Sequence, residues 1–310
     1  MEGVSFYINS TKNVNGPSIF GSRLKNAIIG ANWRWDPILP SICYIFAIGL
    51  LRPWGKNILR LDGLYFDTGN TLGNSEKLNR PICKNYMKTD AVIFQSDFDR
   101  TLFSVFMGEP RCPNFVICNG VPDSFSPEGR RMDYGFKKAI ICSASWREHK
   151  RLNCIIKGFL KYGDPDVGLI IIGENVKEQI KHPNIKYTGR IPVQNLADYL
   201  RGGDAFIHLA WLDHCPNTVV EALACGLPVL CSHNGGTKEI VRSNGIIIQC
   251  EEDYDFRKVD LYKPPICNKR TVAEGIEQIL NWNKPLETDY LRIENVAKGY
   301  MQVAKKILNQ

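Results

Sequence analysis

The chain lacks an apolar run long enough to cross a bilayer. The longest, Ile38–Leu51, is interrupted by Pro40 and Ser41, whereas a spanning helix needs about 20 apolar residues. It reads as a loop followed by a buried strand, with peripheral membrane contact kept as an alternative. A Cys-x-x-Cys pair is also absent. The 11 cysteines are odd in number and scattered, and Cys142, Cys225 and Cys231 lie inside apolar runs, where cysteine acts as a small hydrophobe. This argues against a disulfide scaffold or a metal-binding module and fits a reducing, cytoplasmic setting. No long basic run is present. The densest patches are Arg130-Arg131 and Lys137-Lys138, so the formal charge of +7 favours anionic ligands in general without the contiguous stripe that nucleic acid requires. Met1–Asn15 is mixed and polar and does not read as a cleavable signal. No fixed-period repeat appears, which excludes a solenoid.

With 44% apolar and 23% charged residues, the 310-residue chain is ordinary globular material. Its length suits two cores of about 100–200 residues each. Short β-branched runs alternate with amphipathic stretches, the pattern of β-α units around parallel sheets. In the first half, Ser18–Gly30 reads as a helix. Cys43–Leu51, Asn57–Leu64, Ala91–Gln95 and Phe115–Cys118 read as strands, with a helix over Asp97–Met107. The polar segment Pro127–Gly135 reads as the domain boundary. The second half alternates more cleanly. Strands are expected at Lys138–Ser143, Val167–Gly173, Ile185–Thr188, Ala205–Ala210, Pro228–Cys231 and Ile246–Gln249. Helices are expected at Arg151–Tyr162, Val193–Arg201, Asn217–Cys225, Thr237–Ser243, Thr271–Trp282 and Asp289–Leu308.

The most informative stretch runs from Asp213 through His214, Cys215, Pro216, Asn217 and Thr218 to Glu221, then to Gly226 and Pro228. It reads as a strand end, a loop and a helix start, where outward N–H groups and the helix dipole favour an anion. Glu221 lies one turn into that helix, where its carboxylate can accept from two adjacent sugar hydroxyls. A plainer reading stands beside it: Thr218-x-x-Glu221 also fits a capping box.

This stretch resembles the donor-site signature of the family-4 glycosyltransferases of the GT-B fold. The match extends into Gly235-Gly236-Thr237-Lys238-Glu239 and Gly245, and is preceded by Tyr187-Thr188-Gly189-Arg190-Ile191-Pro192. The family's first acid is normally Glu and is here Asp213, one methylene shorter. The resemblance implies an α/β protein with two facing Rossmann-like domains, parallel sheets and a deep crevice. Residues 1–130 would form the acceptor domain, completed by 286–310, and 136–285 the donor domain. It implies a retaining transfer from a UDP- or GDP-sugar to a glycan, lipid-linked or other hydroxyl acceptor. Glu221 would bind the ribose, Asp213 approach the sugar, and the backbone at Asn217 and Thr218 meet the phosphates. Cys215, Pro216, Gly173, Gly189 and Arg190 would line the donor pocket.

Basic groups for the diphosphate are expected from Ser143–Leu152. Lys150 matches the family's lysine. Ser145 stands where its arginine is usual, which leaves Arg147 as substitute and Arg151 as reserve. A solvated helix start is the alternative for both Arg147 and Lys150. Asn15-Gly16-Pro17-Ser18 resembles the family's first glycine-rich turn, making Gly16 a phosphate contact. Asp62 occupies the place of the family's acceptor-side His-Gly, although a strand-end Asp that caps a turn would look the same. Three Asp-x-Asp triplets, at Asp97, Asp164 and Asp253, lie outside the expected crevice and read as solvated. No metal or cofactor is therefore expected, with electrostatic preorganisation in its place. Two other classes remain as alternatives: a nucleotide-sugar epimerase of the same fold, and a nucleic-acid-binding or nucleic-acid-modifying protein.

Overall fold

The computed structural model describes residues 4–9, 16–46, 48–69 and 73–310. Asn15, in the expected glycine-rich turn, lies outside them. The chain divides into two units. The first holds residues 1–67, 71–122 and 289–310; the second holds 68–70 and 123–288.

The first unit is built on a parallel sheet with strand order β2-β1-β3-β4-β5-β6. The strands are β1 (Ser5–Ile8), β2 (Arg34–Trp35), β3 (Ile42–Phe46), β4 (Lys56–Arg60), β5 (Ala91–Phe94) and β6 (Asn114–Val116). Every residue of β3 and β5 is buried, as expected where helices cover both faces of a parallel sheet. Helix α1 (Gly16–Gly30) turns Phe20, Leu24 and Ile28 inward. Helix α2 (Asn74–Tyr86) was not expected: it carries few apolar residues and contains Pro81, which lacks a donor for the helix ladder. It is held by Asn79, whose side chain accepts from Tyr65 N–H and donates to Tyr65 C=O, both at 2.8 Å. Helix α3 (Asp97–Met107) starts at Ser96, whose hydroxyl accepts from Asp99 N–H at 3.1 Å. The last helix, α9 (Ile293–Leu308), packs into this unit, where Val296, Tyr300 and Ile307 share a core with Phe6, Phe20 and Tyr44.

The second unit carries another parallel sheet, ordered β12-β11-β10-β7-β8-β9. Its elements are β7 (Lys138–Ser143), α4 (Leu152–Tyr162), β8 (Val167–Ile172), β9 (Ile185–Gly189), α5 (Val193–Arg201), β10 (Ala205–His208), α6 (Asn217–Ala224), β11 (Val229–Ser232), α7 (Thr237–Val241), β12 (Gly245–Ile248) and α8 (Lys269–Leu280). The expected strand ending at Ala210 stops at His208, and the one extending to Leu51 stops at Phe46. In both, the apolar run continues past the ladder into the loop, so hydrophobicity alone overshoots the strand. The polar stretch after Pro122 is tied to this unit by the buried Arg201. Its guanidinium donates to the carbonyls of Ser124 (2.6 Å), Ser126 (2.8 Å) and Arg130 (3.3 Å).

Candidate active site

The chain order in the second sheet reverses at β7: β8 and β9 are added on one side, β10 to β12 on the other. The carboxyl ends of β7 and β10 therefore flank a switch point, the place where open parallel sheets bind ligands. Lys150 follows β7 through a single 3₁₀ turn, Glu148–Lys150. Asp213 follows β10. Their side chains form an ion pair, and both are mostly buried. His208 Nε2 lies 3.2 Å from the same Asp213 oxygen.

Burial opposes the charge on Asp213, but Lys150 and His208 outweigh it and hold the carboxyl well below the usual aspartate range. Burial pushes the His208 pKa down against the pull of Asp213. His149 is pushed down to about 3, chiefly by burial and then by Lys150. Its ring stacks on Tyr262 at 6.0 Å between centroids. At neutral pH the group is thus one ammonium, one carboxylate and neutral imidazoles.

Two glycines shape this edge. Gly235 has φ +94, and a Cβ there would come within 2.8 Å of the Asp213 carbonyl oxygen. The neighbouring Gly236 N–H donates to that same carbonyl at 2.8 Å. The Gly-Gly pair after β11 therefore clasps the backbone of Asp213, which follows Leu212 at φ 55. Gly173, at the end of β8, has φ +121 and would place a Cβ 1.8 Å from Ala144 O. Its N–H donates to Gly189 O at 2.8 Å. Arg190, beyond Gly189, is exposed and 3.9 Å from Glu174.

Helix α6 begins at Asn217 with Pro216 as its N-cap and no side-chain cap. Thr218 stands inside the first turn rather than at the cap, so the Thr218–Glu221 capping box does not form. Glu221 is buried on that helix, while Asn217 and Thr218 are partly exposed and Cys215 and Pro216 are buried under the loop.

The expected residues thus fall along one sheet edge: Asp213 and the α6 start after β10, Lys150 after β7, Gly173 after β8, and Gly189 and Arg190 at β9. Arg147 is exposed in the β7–α4 loop, its carbonyl accepting from Lys150 N–H at 2.9 Å. Arg151 is not available as a reserve phosphate ligand. Its side chain is 1% exposed and bound to Glu251 at 2.9 Å. Neither His208 nor His149 was singled out from the sequence, because a histidine within an apolar run looks like core.

Gly16 and Asp62 belong to the first unit. Gly16 opens α1. Asp62 is paired with the buried Arg60, whose guanidinium also donates to Asn119 and lies 4.7 Å from the Phe20 ring centroid. Its carboxylate serves as the counter-ion of a buried cation. The Asp-x-Asp triplets are less solvated than expected. Asp99 is fully buried at the start of α3, Asp166 binds Lys137 at 2.6 Å, and Asp253 lies 3.2 Å from His233. Among the described residues, no helix is long and apolar enough to cross a membrane.

Residues 133–259 match the family model described as glycosyl transferases group 1. The A-type chain of human phosphatidylinositol N-acetylglucosaminyltransferase is 25% identical over 235 residues, which is 73% of this chain and 46% of that protein. The chain thus spans less than half the length of this curated relative. Sucrose-phosphate synthase from Thermosynechococcus elongatus superposes with a TM-score of 0.66 at 12% identity, covering 100% of this chain and 97% of that one. HepE from Anabaena, solved in complex with UDP and glucose, gives 0.61 at 12% identity, covering 98% and 95%. Two six-stranded parallel sheets, each sheathed in helices, are common to these glycosyltransferase structures. The chain has the GT-B fold, and its residues 133–259 are a group 1 glycosyl transferase domain.

Proposed function

We propose that the chain is a retaining glycosyltransferase that moves a sugar from a nucleoside-diphosphate sugar, UDP- or GDP-linked, to a hydroxyl acceptor on a glycan or lipid, without a metal in the transfer step. The observation that carries this reading is the Lys150–Asp213 pair at the switch point beside the start of α6. A diphosphate arriving there meets the Lys150 ammonium and the helix start at Asn217 and Thr218, with Arg147 on the adjoining loop. Glu221, one turn in, takes the ribose hydroxyls. Asp213 faces the donor sugar.

In the transfer step, the acceptor oxygen attacks the anomeric carbon on the face from which the diphosphate departs. The bond from that carbon to the β-phosphate oxygen breaks, and the acceptor proton passes to the leaving oxygen. Lys150 and the helix N-terminus stabilise the charge that collects on the diphosphate, the type of fixed electrostatic stabilisation that supplies much of an enzyme's rate. No side chain serves as a covalent nucleophile. The presence of UDP in the HepE structure makes UDP the first nucleotide to test. We further propose a cytoplasmic location with peripheral membrane contact. The test is calorimetric titration with UDP, GDP and ADP, followed by transfer assays with the sugar conjugate of the nucleotide that binds. Saturable binding of one of the three is expected, and absence of binding by all of them overturns the reading.

A further inference from the structure

Three cysteines from separate parts of the second unit converge behind the loop that carries Lys150. Cys250 follows β12, Cys267 precedes α8, and Cys154 lies in the first turn of α4. The ligand atoms of Cys250, Glu251 and Cys267 all lie within 4.8 Å of one another. Cys154 Sγ accepts from Cys267 N–H at 3.4 Å, and side-chain hydrogen bonds join Cys267 to both Cys154 and Cys250. Arg151 Nη1 reaches Cys267 Sγ at 3.3 Å and Glu251 at 2.9 Å. Its Nε and Nη2 are buried and have no acceptor.

We propose that Cys250, Cys267 and Glu251, with Cys154 as the adjoining fourth ligand, form a structural site for a thiophilic divalent cation of the zinc class. Soft sulfur ligands select such a cation over magnesium or calcium. Tetrahedral ligands about 2.3 Å from the metal sit about 3.8 Å apart, so the observed spread needs to contract by only about 1 Å.

Charge supports the same assignment. A buried cluster must stay close to neutral. Before metal binds, Glu251 and Arg151 cancel while the thiols carry their protons. Binding through Cys250 and Cys267 releases two protons to solvent and creates two thiolates. These and Glu251 are then balanced by the dication and Arg151. The same arginine therefore keeps the cluster neutral in both states. The new thiolates also supply acceptors for its unpartnered nitrogens. Cys154 and Arg151 border an open groove of about 480 Å³, which gives the ion a path.

Occupancy would close the loop between Cys250 and Cys267 and fasten it to α4. That loop carries Tyr262, which stacks on His149, next to Lys150. The metal thus braces the floor under the Lys150–Asp213 pair and takes no part in sugar transfer.

The test is titration of the full chain, metal-stripped and reduced, with cadmium(II) alone, read by thiolate-to-cadmium charge-transfer absorbance. One equivalent per chain is expected. The band should vanish in the Cys250→Ser/Cys267→Ser double variant and persist in Cys83→Ser. No band in the wild type, or a band of equal strength in the double variant, overturns the proposal. Should the double variant fail to fold, alkylation of the native wild type decides. Cadmium must shield Cys250 and Cys267 while leaving Cys83 and Cys112 as they were, and unchanged labelling of the first two overturns the site. Neither readout depends on nucleotide binding or sugar transfer.

Discussion

Lys150 and Asp213 are 63 residues apart in the chain, yet their side chains meet in an ion pair across the ends of two adjacent parallel strands. Lys150 is the cation nearest the proposed diphosphate position and also half of the reason Asp213 stays ionised despite its burial. Lys150→Ala should therefore weaken nucleoside-diphosphate binding. Losing a charge-assisted hydrogen bond costs about 1.5–3 kcal/mol, or about tenfold to a hundredfold in affinity. Lys150→Arg, which keeps the charge, should recover part of that loss. Calorimetric titration of both variants with UDP and GDP checks this, and unchanged affinity in Lys150→Ala means the lysine serves the fold alone.

Glu221→Ala should lower nucleotide affinity by a similar factor of about ten to a hundred. Since Thr218 does not cap α6, the carboxylate is not needed as a capping-box partner. The variant is accordingly expected to keep its far-ultraviolet circular dichroism spectrum. Normal binding combined with a lowered Tm would return Glu221 to a purely structural role.

The sequence made the second unit more legible than the first, and the reason is physical. Runs such as Val167–Ile172 are buried on both faces and bounded by turn residues, so their pattern is unambiguous. The Asp213–Glu221 segment showed its character because loop, helix start and carboxylate are contiguous. What stayed hidden depends on partners far away in the chain. Helix α2 survives Pro81 through the bonds of Asn79 to Tyr65. The polar residues after Pro122 belong to the second unit through one arginine, Arg201, 71 positions beyond Arg130. Cysteines that look scattered at positions 154, 250 and 267 meet because parallel strands return each loop to the same sheet edge. Spacing along the chain carries no trace of any of these meetings.

Stability should fall on mild acidification because of His149. Its folded pKa is depressed to about 3, with burial the leading cause, while the unfolded chain takes up the proton near pH 6.5. The unfolded state thus binds more protons below about pH 6.5, and folding loses up to about 1.4 kcal/mol per pH unit there until the folded histidine itself titrates. Asp213, also depressed, adds its loss only below the ordinary aspartate range, near pH 4. Thermal melts between pH 7.5 and 4.5, about the range that isolates the histidine, should show a steady drop in Tm. The drop should be shallower in His149→Gln, and an identical slope in that variant assigns the effect to other groups.

Transfer should not depend on a hard divalent cation. The three Asp-x-Asp triplets are occupied within the protein, by the start of α3, by Lys137 and by His233. Adding Mg²⁺ or Mn²⁺ to desalted enzyme is expected to leave the initial rate unchanged. A rate that rises severalfold with either ion would identify one of these carboxylate pairs as a metal ligand set.

The final helix should be indispensable to the first unit. α9 buries Ile293, Val296, Ala297, Tyr300, Val303, Ala304 and Ile307, and each of the larger side chains contributes about 1.5–3 kcal/mol on burial. Their sum is comparable with the whole stability of a domain, about 5–15 kcal/mol. The helix packs on α1, and Tyr44, deep in β3, donates from its hydroxyl to Tyr300 O at 2.9 Å. Deleting residues 289–310 would uncover Phe20 and Tyr44 together with the rest of that core, and insoluble protein is the expected result. Finer substitutions grade the effect. Tyr300→Ala should cost about 3–5 kcal/mol, as for other large aromatic truncations. Tyr44→Phe should cost only about 0.5–1.5 kcal/mol for the lost hydrogen bond. Urea denaturation gives both values. A truncated chain that stays soluble with an unaltered unfolding midpoint would show that α9 is an appendage instead of part of the core.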